Sequence, residues 1–179
     1  HAVVPVLDKD DPTDRRKSIF KPIGPKARFL NNDYDYAGGV ENQLAHWESA
    51  GILTSAPTDK TTIASAPIFK DTTDITALST ENLNTMARGY LDINCAHCHS
   101  EGARAWNTGL DLMADETDRS LIGIYKTPTA AGRGTGGLQY GIVPGKPEAS
   151  ILMHRIMSTE PDVAMPELGR TIVHAEGVA

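Results

Sequence analysis

Two cysteines three positions apart, followed at once by a histidine, constrain this chain more than any other run in it: Cys95-Ala96-His97-Cys98-His99. CxxCH is the spacing at which haem can be joined covalently to a polypeptide. Each cysteine forms a thioether with one vinyl group, and the adjoining histidine is held beside the iron as its proximal ligand. The motif implies haem c, attached through Cys95 and Cys98 with His99 on the metal.

Two other chemistries use a CxxC pair. A zinc site needs about four ligands in a closed tetrahedral shell, and the chain has only two cysteines. His97 and His99 would complete the set only by crowding all four donors into five consecutive residues. A thiol redox pair belongs at a helix start, where the N-terminus lowers the thiol pKa. Here the pair closes a helix: Leu83, Met86, Ala87, Tyr90, Leu91 and Cys95 recur at helical spacing from Glu81 to Cys95, with Thr80 as N-cap. His97 is expected as a partly exposed histidine beside the haem rim.

An electron-transfer haem needs a second axial ligand, and methionine is a common one. Met165 fits, because Pro166 after it favours an extended loop that presents a side chain without a helix. Met153 and His154 compete, but they fall in a helix expected over 147–156, whose Ile151, Leu152, Arg155 and Ile156 form a packing face. Met86, Met113 and Met157 read as core filler.

Composition divides the chain into three zones. Residues 1–53 form an irregular extension with turn signals at Asn31-Asn32-Asp33 and Gly38-Gly39. One helix follows from Val40 to Ala50, ended by Gly51, and its Val40, Leu44 and Trp47 can pack on the haem domain. Residues 54–79 form a wrapping connector rich in Thr, Ser, Ala, Pro and Asp, pinned by Ile63, Ile68, Phe69, Ile75 and Leu78. Residues 80–179 form the haem domain, with a glycine-rich excursion from Ser100 to Gly145. Within it Gly132-Arg133-Gly134-Thr135-Gly136-Gly137 matches the dinucleotide pattern GxGxxG, but no strand precedes it and no helix opens after it. Its glycines are expected to let backbone pass close to the porphyrin. Arg119, Lys126 and Arg133 are available for haem propionates.

The fold class that follows is mainly α, a cytochrome c-like haem domain with long Gly/Pro-rich loops behind an irregular extension containing one helix. Aromatic residues make up only 6% of the chain, so a buried macrocycle would supply apolar mass that the sequence lacks. The net charge of −6, without a basic patch, excludes nucleic acid as a partner. The mixed run Asp8 to Lys17 reads as solvated surface. No apolar stretch reaches bilayer-spanning length.

The resemblance extends past the motif. Tyr90 to His99, Thr108-Gly109-Leu110-Asp111-Leu112, Val143 to Leu152 and Met165-Pro166 resemble a family of secreted bacterial dihaem c-type cytochromes. Ile23 to Arg28 and Glu41 to Trp47 are similar to the segment joining that family's two haem motifs. The resemblance implies one-electron transfer with redox partner proteins, and a periplasmic or extracellular location after removal of a signal peptide. It also implies a second CxxCH upstream, which this chain lacks. The abrupt ends at His1 and Ala179, the latter just as Val173 onward enters a helix, read as those of a fragment. On that reading His1 is a candidate proximal histidine for an upstream haem, and His46 a weaker ligand for it. Copper held by a terminal His1 finds no second histidine by spacing. Two rival functions remain: a dihaem peroxidase-like enzyme, and a haem-bearing subunit of a larger redox complex.

Overall fold

The structure, a computed structural model, describes residues 2–5, 18–21, 23–66, 74–167 and 171–178. The elements in chain order are β1 (Ala2–Pro5), β2 (Ser18–Lys21), α1 (Ala27–Leu30), β3 (Asp33–Tyr36), β4 (Gly39–Asn42), α2 (Gln43–Ser49), α3 (Thr80–Asn94), α4 (Arg119–Ile122), α5 (Ile151–Met157) and α6 (Ala175–Val178). Helix outweighs strand, so the chain is mainly α, as the sequence implied. The strands form two antiparallel hairpins, Ala2 opposite Lys21 in one and Asp33 opposite Asn42 in the other. His1, the run Asp8 to Lys17, Ile68 and Phe69 lie outside the described residues.

Two compact units emerge, Gly24–Ile93 and His1–Ile23 with Asn94–Ala179. They do not follow the compositional zones 1–53, 54–79 and 80–179, because polar contacts tie both the connector and α3 to the segment around α1.

In the unit Gly24–Ile93, Asp92 is the decisive residue. Its side chain is fully buried and forms ion pairs with Lys26 and, at 3.1 Å, with Arg28. A buried carboxylate persists only when paired in this way. The buried face of α3 is therefore Met86, Arg88, Gly89, Leu91 and Asp92, and not the apolar stripe read from spacing. Leu83 is 44% exposed and Ala87 is also on the surface. The expected cap moves by one residue as well: the Ser79 hydroxyl, rather than Thr80, accepts the Asn82 N–H at 3.2 Å.

The same unit shows what the turn residues do. The Asn31 amide donates to the carbonyls of Lys60 and Ile63 at 3.0 and 2.7 Å, and Asn32 donates to the Ala66 carbonyl at 2.9 Å. The connector is thus pinned by side-chain amides as well as by half-buried Ile63, Ile75 and Leu78. Helix α2 starts at Gln43 because the Asn42 side chain caps it, accepting from the N–H groups of Leu44 and Ala45. Val40 belongs to β4 and is 70% exposed, leaving Leu44 as the buried anchor of α2. Gly51, at φ +71°, follows the helix as expected. His46 stacks on Tyr36 at 3.6 Å and hydrogen-bonds Glu41 at 2.9 Å, so its ring is engaged locally.

In the unit that contains Asn94–Ala179, the motif follows α3 in a tight turn. The N–H groups of Cys98 and His99 both donate to the Cys95 carbonyl, at 3.0 and 2.9 Å. The helix expected over 147–156 divides into a 3-10 turn, Pro147–Ala149, and α5. Buried Ser150 stands between them, its hydroxyl accepting from Val143 N–H and donating to Lys146 O. The GxGxxG run is a 3-10 turn over Gly132–Thr135 that lies against α5. A Cβ at Gly136 (φ +59°) would sit 2.6 Å from the His154 ring. Glycine is required there for the approach of α5.

Candidate haem-binding site

A cavity of about 340 Å³ opens within this unit, lined by Cys95, His97, Cys98, His99 and Met165 among others. Two stretches of chain bring the four nominated residues to it, the turn after α3 with both cysteines and His99 and the loop beyond α5 with Met165, while α5 supplies a wall. The whole face read from the sequence of α5, Ile151, Leu152, Arg155 and Ile156, lines the cavity. Leu110, Leu112, Ile122 and Ile142 add further apolar wall. Met153 and His154 are not on it. His154 is turned to Gly136, which accounts for its place outside the ligand set. Met86 is buried in the other unit, and Met157 is 56% exposed, so Met157 is not the core filler expected of it.

His99 is fixed at two points. Its carbonyl accepts the Leu112 N–H at 2.9 Å, and its Nδ1 lies 3.2 Å from the Thr108 hydroxyl. Burial, the Arg155 guanidinium and His97 together hold its pKa below the usual imidazole range, against a smaller opposing effect of Glu167. This shift favours the neutral imidazole, the form that binds a metal. Burial, and to a lesser extent the neighbouring Cys98, push the Cys95 thiol up to about 12. A redox-active or nucleophilic thiol has a depressed pKa, so this cysteine is unsuited to thiol exchange. Among the described residues no group of three or more His, Cys, Asp or Glu is arranged to hold a metal ion by itself, which leaves the zinc alternative without a shell.

Among the described residues the basic side chains on the cavity are Arg104, Lys126 and Arg155. Of the three cations nominated from sequence only Lys126 is among them; Arg119 and Arg133 are not. Arg155 was legible only as part of a packing face, yet its partly buried guanidinium reaches the cavity, with burial lowering its pKa and Glu167 opposing that shift.

The residues present fit the group that the motif implies. A flat, apolar macrocycle with two acidic side groups needs apolar walls, a sulfur pair at the right spacing, axial donors and cations for its carboxylates. The cavity offers each of these, and its volume lies in the range of about 300–1,000 Å³ common to cofactor sites. A cavity lined in this way fits a haem. Residues 95–167 match a family model described as Planctomycete cytochrome C, which supports a haem-bearing cytochrome of the c type over this segment. No curated protein and no solved structure matches the chain. Among the described residues no helix is long and apolar enough to cross a membrane.

Proposed function

We propose that this chain is a c-type cytochrome that passes single electrons through one haem c, attached to Cys95 and Cys98 and held axially by His99 and Met165. The observation that carries the reading is that these four residues, from two segments far apart in sequence, line one cavity. When bound, the haem supplies a one-electron iron couple. The chain's own residues do the rest. His99 presents a neutral imidazole. Met165 presents a thioether, which disfavours the ferric state and raises the potential relative to a second histidine. The apolar walls would exclude water, and Arg104, Lys126 and Arg155 are the cavity cations that would pair with the acidic side groups. If His99 and Met165 both held the iron, no position would be left for peroxide, and the cavity lining by both residues therefore favours the electron carrier over the dihaem peroxidase-like enzyme. Resemblance to secreted dihaem cytochromes extends the reading to a periplasmic or extracellular protein with redox partner proteins.

The test is spectroscopic. Ferric protein should be low-spin and six-coordinate, with the weak red-end absorption band of an iron–thioether bond and no peroxide turnover. A five-coordinate, high-spin ferric spectrum with peroxidase activity would transfer the assignment to the enzyme.

A further inference from the structure

We infer that Thr108 is a positioning residue for His99, fixing which imidazole nitrogen faces the metal and strengthening that nitrogen as a donor. The inference rests on the haem reading above and adds a residue to which the motif gives no role.

The argument is a count of hydrogens. A threonine hydroxyl has one hydrogen to donate and two lone pairs that accept. The Thr108 hydrogen goes to the Ala105 carbonyl at 2.7 Å, the shortest contact this hydroxyl makes. One lone pair receives the Leu110 N–H at 3.3 Å. Toward His99 Nδ1, at 3.2 Å, the hydroxyl can then only accept. Nδ1 must carry the imidazole proton, and Nε2 is left as the nitrogen with a free lone pair. An acceptor on the N–H side of a ligating imidazole fixes its tautomer and orientation and raises its basicity.

The hydroxyl is itself held in place from the motif. The Ala105 N–H donates to the Cys98 carbonyl at 2.9 Å, so the residue that accepts from Thr108 is anchored to the second cysteine. Gly109, at φ +63°, closes the 3-10 turn Trp106–Thr108 and turns the chain so that the Leu110 N–H comes back to the same hydroxyl. Cys98, Ala105, Thr108 and His99 thus form a closed circuit around the proximal side.

A more basic imidazole stabilises ferric iron, so Thr108 lowers the midpoint potential. In the haem-loaded protein Thr108→Val, which keeps the shape and removes the acceptor, should raise the midpoint potential. Thr108→Ser should return it to the wild-type value. A wild-type potential in Thr108→Val, or equal shifts in both variants, overturns the inference. Should the valine variant not assemble, ¹⁵N NMR of the unmodified ferrous protein decides: a His99 Nδ1 proton that exchanges slowly with solvent supports the hydrogen bond, and one that exchanges as freely as a solvated imidazole contradicts it. Failure of the haem reading would be visible separately, as wild-type protein that carries no haem.

Discussion

Arg155 and Met165 are joined through the backbone: the Arg155 carbonyl accepts the Met165 N–H at 3.1 Å, while the Nε of the same arginine donates to the Val163 carbonyl at 2.9 Å. One residue of α5 therefore brackets the loop that carries Met165, the proposed second axial ligand. Arg155→Met keeps the apolar stem but loses the charged donor, at a cost of about 1.5–3 kcal/mol. The variant should unfold at lower denaturant concentration and show a weakened iron–thioether band. Arg155→Lys should not restore the band, because lysine has a methylene where arginine places the Nε donor that reaches Val163. Full recovery in the lysine variant would show that charge alone suffices.

Met165 itself is tested more simply. Met165→Ala should abolish the iron–thioether band and lower the potential, since a stabiliser of ferrous iron is lost. A band that survives would move the ligand assignment to Met153 or another sulfur.

The cavity lining was legible in the sequence where chemistry imposes local spacing, and obscure where a polar side chain finds its partner through the fold. Cys95, Cys98 and His99 follow from a fixed covalent pattern, and Met165 from the proline beside it. Thr108 carries no such mark. It takes its role only once Gly109 folds the turn back and Leu112 holds His99. Asp92 is similar: helical periodicity treats a carboxylate as surface, and only Lys26 and Arg28, far away in sequence, make its burial possible. The same cause shifted the expected buried face of α3. Asn31 and Asn32 signalled a turn correctly in composition, but their amides also clamp a connector some thirty residues on.

Asp92→Ala leaves Lys26 and Arg28 without their shared carboxylate. Removing one partner of a buried ion pair costs about 3–5 kcal/mol, and the lower end applies here because both cations keep partial contact with solvent. Urea unfolding should show that loss for the unit Gly24–Ile93. A change under about 1 kcal/mol would mean that the pairs add little beyond the cost of burying them.

Gly136→Ala forces a Cβ to within 2.6 Å of the His154 ring at a backbone angle that favours glycine. Overpacking of this kind costs about 1–3 kcal/mol. The melting temperature should fall while the absorption spectrum stays unchanged, because His154 is off the cavity. A spectral change would place His154 among the groups acting on the iron.

Removal of both thioethers, in Cys95→Ala with Cys98→Ala, should unfold one unit and spare the other. Covering a few hundred Å² of porphyrin at roughly 25 cal/mol per Å² contributes up to on the order of 10 kcal/mol, comparable to the whole net stability of a domain. Sequence alone set the start of the haem-dependent region near Thr80; the packing of α3 around Asp92 moves it to Asn94. Hydrogen exchange should show residues 95–167 unprotected and α3 still protected. Protection retained throughout would show that the fold stands without its cofactor.

The most direct measurement is intact mass under denaturing conditions together with a pyridine haemochrome assay on the purified chain. A mass increased by one haem, with both cysteines closed to alkylation, is the expected result. Colourless protein in which Cys95 and Cys98 both take up the alkylating reagent would contradict it.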